Sequence, residues 1–320
     1  MKALQGVDGH VEWVEAERPT CDAGQVRIRV AAAGLNRADM LQIAGNYPPP
    51  PGASPYLGLE CSGIISEVGP GTDWRVGERV CALLAGGGMA EEVVVDARHV
   101  LPVPEGLSLH EAAAIPEVYA TAWLNIFQLG GLKPGEKLLV HAGASGVGSA
   151  AIQLCKALGN PVWVSVGSPE RLAYCEALGA AGGVVRNANL DDLKQLGPFD
   201  VILDPVGASY GPLNVELLAR DGRWVMIGLM GGRKVELDLA QILGKRLQLT
   251  GSTLRNRDDD FKAELLKELG QQVWPLFTDG RLKAQLVDTY PVAFAEAAYA
   301  ELATNQVSGK LVLVIDQTLA

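Results

Sequence analysis

The 320-residue sequence predicts an α/β protein of two parts, a barrel-like all-β unit and a doubly wound parallel sheet. Three observations predict it. From Val26 to about Val103, short apolar stretches are broken by Gly and Pro at the spacing of an all-β unit. Beyond Lys137, strand-like and helix-like patterns alternate, as in a sheet with crossover helices. The first strand of that second region ends in a glycine-rich turn, His141-Ala-Gly-Ala-Ser-Gly-Val-Gly148, followed by a helix-period pattern. The length exceeds the roughly 100–150 residues that one core usually organises, and 48% hydrophobic against 20% charged residues describes a well-packed chain.

In chain order, strands are predicted at Val26–Ala32, Gly63–Gly69, Arg79–Leu84 and Ala90–Val95, with Pro48 to Pro51 a stiff extended loop. Leu107 to Leu129 reads as helical, opened by Ser108 with Glu111 three residues on, the spacing at which each can cap the other. Lys133-Pro-Gly-Glu136 marks the passage to the second region. There the pattern runs strand from Lys137, helix Gly148–Leu158, strand Pro161–Val166, helix Pro169–Leu178, strand Gly183–Val185, a short helix near Leu190 and strand Asp200–Leu203. Strands near Trp224–Ile227 and Leu247–Thr250 bring the sheet to about six, and Ser168 before Pro169 is a favourable helix start. Near the C-terminus an amphipathic stretch, Phe294–Leu302, precedes the apolar strand Lys310–Ile315, which finds no place in a complete sheet and is expected to return to the first region.

The glycine turn carries the first chemistry. Gly143, Ser145 and Gly148 stand at dinucleotide-fingerprint spacing, with Gly146 and Val147 between, so the backbone can approach a pyrophosphate at a helix N-terminus. An acid about 20 residues on would favour the 2′-hydroxyl of NAD. Here the second strand ends in Ser165-Val-Gly-Ser168 with Arg171 next, and the third ends at Arg186, so Gly167, Ser168, Arg171 and Arg186 favour the 2′-phosphate of NADPH. The loops after later strands, around Gly207, Gly228-Leu229-Met230 and Ser252-Thr253-Leu254, stand at carboxyl ends of parallel strands, where ligands bind.

A net charge of −10 opposes nucleic acid and anionic membrane as partners. No apolar run reaches the roughly 18 residues a membrane span needs, and no leader pattern opens the chain, so a cytoplasmic protein is expected. Five cysteines without a Cys-x-x-Cys pair and four scattered histidines supply neither a disulfide framework nor a metal set; structural roles are expected for all four histidines.

With these residues in view, the chain resembles the medium-chain dehydrogenase/reductase superfamily over its whole length, and within it the zinc-independent quinone oxidoreductases of the p53-inducible type. The matching stretches are Gly34–Asp39, Gly45–Gly52, Gly58–Gly63, His141–Gly148, Asp221–Val225 and Gly228–Gly232. The resemblance implies a GroES-like β-barrel catalytic domain, residues 1–122 with 283–320, and a Rossmann domain, residues 123–282, with NADPH meeting substrate in a cleft. Zinc-dependent relatives place Cys and His where this chain has Asn36 and Leu59, and carry a four-cysteine lobe that is missing between Val80 and Val93. The implied reaction is metal-free hydride transfer from NADPH to a quinone, or alternatively to a 2-enoyl or alkenal acceptor. Tyr47 matches the family tyrosine near the nicotinamide, and Asn36 and Asp39 are polar liners of its pocket, although Asp39 fits a structural hydrogen bond within its loop equally well. Arg186 departs from the family, which has an aromatic beside the adenosine. The resemblance also implies a two-fold homodimer joined at the Leu247–Thr250 edge. A reading of another class is a non-catalytic crystallin-like protein that binds nucleotide or RNA, the RNA role being opposed by the acidic charge.

Overall fold

The computed structural model describes residues 1–186 and 190–319. It divides into two units, Met1–Ala120 with Leu254–Ala320, and Thr121–Thr253.

The first unit holds β1 (Lys2–Val7), β2 (His10–Glu15), β3 (Gln25–Gly34), β4 (Glu60–Val68), β5 (Arg79–Leu83), β6 (Glu92–Asp96) and β7 (Val100–Pro102). β1 and β2 form a hairpin that turns at Asp8-Gly9, both at positive φ. β3 organises the main sheet. Along one edge it changes partner from β6, at Gln25–Arg29, to a C-terminal strand, at Ala32–Gly34, while β4 follows the other edge with register shifts at Arg27/Ile28 and Val30/Ala32. Such shifts bend a sheet at barrel corners. Val26, Ile28, Val30, Cys61, Ile65, Val80, Leu311 and Leu313 meet in its core.

The predicted continuous helix over Leu107–Leu129 is instead broken. Ser108 caps Leu109–Ala112 reciprocally with Glu111, as expected, but a second helix begins at Pro116 and runs to Trp123, and a wider turn follows over Leu124–Leu129. Pro116 has no N–H to continue the first helix and is well suited to start the next.

The second unit is a six-stranded parallel sheet, β8 (Leu138–His141), β9 (Val162–Val166), β10 (Gly182–Val185), β11 (Phe199–Asp204), β12 (Leu218–Met226) and β13 (Gln248–Gly251). Its spatial order is β10-β9-β8-β11-β12-β13. The chain therefore winds outward from β8 in one direction and resumes on its other flank with β11, which creates the reversal of strand order where ligands bind. Leu139, Phe199, Ile202, Val215, Leu218 and Trp224 pack on the sheet.

The chain then returns to the first unit through β14 (Leu286–Pro291) and β15 (Lys310–Val314), β15 pairing with β3 as the unplaced C-terminal strand was expected to. The segment 254–282 also lies in the first unit, rather than with the sheet domain expected to extend to 282. Its helices bury apolar faces there: the Trp274 indole donates to Pro102 O at 2.7 Å and Phe277 stands edge-on to Tyr119 at 4.9 Å.

Candidate functional site

In the second unit, Ala142 at positive φ and Gly143 carry the chain from β8 into the helix Gly146–Leu158. A Cβ on Gly143 would stand 2.5 Å from Val164, and one on Gly148 would stand 2.3 Å from the carbonyl oxygen of Gly143, so both positions require the missing side chain. Ser145 caps the helix, its Oγ accepting from the Gly148 amide at 3.1 Å. The amides of Gly146 and Val147 donate to no group among the described residues. Two free amides at the start of a 13-residue helix form an anion cradle suited to a pyrophosphate.

At the end of β9, Ser168 caps the helix Pro169–Leu178 by accepting from the Arg171 amide. The guanidiniums of Arg171 and Arg186 converge on Gly167: a Cβ there would lie 3.1 Å from Arg171 Nη1 and 3.9 Å from Arg186 Nη2. Burial and the charge of Arg186 pull the Arg171 pKa down from its ordinary value, the signature of two cations held together. Arg186 also reaches the Tyr210 hydroxyl. Gly207, at positive φ, and Gly228-Leu229-Met230 form interlocked loops beyond β11 and β12, with the Met230 amide donating to Pro205 O and the Gly231 amide to Val206 O; Leu229 and Met230 are left exposed. Ser252 and Thr253 follow β13, the Ser252 hydroxyl buried without a partner among the described residues, whereas Leu254 already belongs to the first unit and is buried there.

Behind these loops lies a buried network that periodicity does not announce. His141 is held between Ser165 Oγ and Asn214 Oδ1, each at 2.7 Å; Asn214 Nδ2 and the Trp224 indole both donate to Asp204 Oδ2, and Asp204 Oδ1 accepts the amides of Val206 and Gly207. Burial pulls the His141 pKa down, so the ring is neutral, donating to Asn214 and accepting from Ser165. Its role is to fix the carboxyl ends of β8, β9 and β11.

In the first unit, Asn36 caps the helix Arg37–Ile43 and Asp39 completes the reciprocal cap, its Oδ2 accepting from the Asn36 amide at 2.8 Å. Asp39 is 1% exposed, and burial pushes its carboxyl up to about 6. Asn36 Nδ2 donates to Glu60 Oε1 at 3.0 Å, and Lys310 Nζ donates to Leu35 O, Asn36 Oδ1 and Glu60 Oε1 at 2.6–2.8 Å. Glu60 is 0% and Lys310 4% exposed, so this ion pair is sealed and each charge satisfied by the other. Tyr47 is half-buried on the loop after that helix, under a residue the sequence did not flag. The Arg255 guanidinium, 4% exposed, lies 5.3 Å from the Tyr47 ring centre and donates to Tyr47 O, Gln42 Oε1 and Ala85 O. Glu117 is the second unflagged residue. Its amide donates to Glu60 Oε2 at 2.9 Å, and burial, then the charge of Glu60, pushes its carboxyl up to about 8. No spacing signal links positions 47, 117 and 255. Among the described residues, no group of three or more His, Cys, Asp or Glu side chains is placed to hold a metal ion.

A fingerprint turn on a doubly wound sheet, joined to a barrel-like β unit closed by the returning chain, defines a dinucleotide-binding α/β class. Residues 22–105 match the family model described as alcohol dehydrogenase GroES-like domain, and residues 146–271 match zinc-binding dehydrogenase. The chain is 33% identical over 97% of its length to the polyketide synthase GfsB of Streptomyces halstedii. It spans 5% of the length of that synthase and 66% of the length of the synaptic vesicle membrane protein VAT-1 homolog of Danio rerio, to which it is 31% identical over 95% of this chain. Among solved structures, it is similar to the CurK enoyl reductase, with 28% identity, a TM-score of 0.85, and 98% of this chain and 99% of that one covered. It is likewise similar to the Escherichia coli quinone oxidoreductase complexed with NADPH, with 25% identity, a TM-score of 0.86 and the same coverage. The chain belongs to the medium-chain dehydrogenase/reductase superfamily, with the GroES-like unit and Rossmann sheet of its structures. No helix among the described residues is long and apolar enough to cross a membrane.

Proposed function

We propose that the chain is a reductase that uses NADPH to deliver a hydride to an acceptor already activated by conjugation, a quinone first of all. The convergence of Arg171 and Arg186 over Gly167 carries the choice of NADPH, because two cations at the end of a strand followed by Gly167-Ser168, where an acid would favour NAD, suit the extra phosphate. The glycine turn and its free amides would hold the pyrophosphate, and the bound nicotinamide would supply the hydride. The residues of this chain bind, orient and exclude water. Tyr47, held by Arg255, is assigned to the acceptor, while Asn36 and Asp39 hold the helix cap and the Glu60–Lys310 pair beside it. The reaction is proposed to run without zinc, supported by Asn36 and Leu59 at the positions of metal ligands in zinc-dependent relatives.

A second reading, reduction of a 2-enoyl acceptor, is favoured by the likeness to the CurK enoyl reductase and to a polyketide synthase. Following NADPH loss with a panel of quinones and enones separates the two: turnover of enones with inert quinones would replace the first reading by the second. The proposal places the protein in the cytoplasm, in the p53-inducible subgroup, and in a homodimer. The homodimer is supported by β13 at the end of its sheet and by Leu239 and Leu243, 73% and 80% exposed four residues apart on the neighbouring helix Leu239–Lys245.

A further inference from the structure

Resting on that reading, we propose that Glu117 is the proton donor of the reaction, protonating the acceptor atom that becomes negative when the hydride arrives. Two electrons enter with the hydride, and the acceptor's new anion, a quinol oxygen or an enolate carbon, uses its electron pair to form the bond to the proton. The Glu117 O–H bond breaks in the same step, leaving a carboxylate that water reprotonates.

The geometry points to Glu117 and not to its neighbours. Three carboxyls share this corner of the first unit, but two are sealed inside it: Glu60, 0% exposed, receives Lys310 at 2.6 Å, the Asn36 amide group and the Glu117 amide, and Asp39, 1% exposed, has Oδ2 on the Asn36 amide and Oδ1 buried without a partner among the described residues, whereas Glu117 is only partly buried. The Glu117 carboxyl accepts no hydrogen bond among the described residues, although its backbone is anchored on Glu60 at the start of the helix Pro116–Trp123. Every charge that faces it is accounted for. Glu60 and Asp39 disfavour its ionisation, Lys310 is spent on Glu60, and Arg255 is spent on Tyr47 O, Gln42 and Ala85 O. Lys262, on the helix Asp259–Gln272, feels the charge of Glu117 while burial lowers its own pKa. Burial, then the charge of Glu117, pushes up the pKa of Tyr47. Glu60, which holds the Glu117 amide, also holds Asn36 at the start of the helix whose Gln42 accepts from Arg255, the residue over the Tyr47 ring. A carboxylic acid whose pKa is raised to about 8 and whose carboxyl has no hydrogen-bond partner among the described residues has the chemistry of a general acid.

The test uses the full chain and two readouts. In the apoprotein, the infrared carbonyl band of a protonated carboxylic acid should be present at neutral pH, disappear with a midpoint of about 8, and be missing from Glu117→Gln. With NADPH and acceptor, Glu117→Gln should lower kcat by about 100-fold or more and leave the KM for NADPH unchanged. Wild-type kcat should fall as pH rises through about 8, and Glu117→Asp, which keeps the acid, should retain more activity than Glu117→Gln. A Gln variant with wild-type kcat, or an infrared spectrum at neutral pH that the substitution leaves unchanged, overturns the assignment while the reductase reading stands. A wild-type protein that oxidises NADPH with no acceptor overturns the reading itself, and the assignment with it, whatever the infrared band shows.

Discussion

Arg171 shows what residue-level reading can and cannot reach. Its charge beside a strand ending in serines, with no acid in place, was visible in the sequence, but its meeting with Arg186 over Gly167 depends on how β9 and β10 lie side by side. Arg171→Glu is expected to weaken NADPH binding by about 10- to 100-fold, the worth of a lost charge-assisted contact, and to change NADH binding far less; titrating both coenzymes checks it, and equal losses would remove the 2′-phosphate from this site. For Tyr47, the family match was legible, whereas the guanidinium that holds it comes from a position more than 200 residues away, so no local pattern could have announced it. Tyr47→Phe should lower acceptor turnover by about 10-fold without altering coenzyme affinity; an unchanged rate would reduce the hydroxyl to packing. Glu117 was missed for the same physical reason, since its neighbours Glu60, Arg255 and Lys310 come from three separate strands or loops.

Elements whose periodicity, cap and terminator agree were legible almost to the residue. The helix after β8 and the helix Pro169–Leu178 have capping serines, apolar faces and left-handed C-terminal glycines at Gly159 and Gly179. Gly148→Ala is expected to shift the helix from the turn, because its Cβ meets rigid backbone at 2.3 Å; a loss of about 1–3 kcal/mol in stability and a larger loss of coenzyme affinity would appear in denaturant titration and binding assays. Wild-type behaviour of that variant would show that the close approach is not required. Where signals conflict, reading failed. The stretch Leu107–Leu129 has helical composition throughout, yet Pro116 splits it. The β1–β2 hairpin and β14 escaped notice because their strands are only partly buried and alternate weakly, which leaves little apolar pattern to read.

At the scale of the molecule, two units were foreseeable from length and pattern, but the owner of the segment 254–282 was not, because an amphipathic helix shows that it packs and not against what. The buried charge cluster gives the whole fold a pH dependence. Asp39 and Glu117 bind protons more tightly folded than unfolded, their pKa values rising to about 6 and about 8. The stability they contribute is therefore complete below their unfolded values and lost as pH rises through those folded values. Thermal unfolding of the wild type should consequently weaken between about pH 5 and pH 9 more than that of Glu117→Gln, which has no proton to lose there; identical pH profiles would show that Glu117 titrates normally. The central claim is a metal-free transfer of reducing equivalents from NADPH to a conjugated acceptor. Its most direct measurement is the disappearance of NADPH absorbance with a quinone and an enone, before and after treatment with a zinc chelator. The account predicts acceptor-dependent oxidation that the chelator leaves unchanged. Oxidation with neither acceptor, or activity lost to the chelator and restored by zinc, would contradict it.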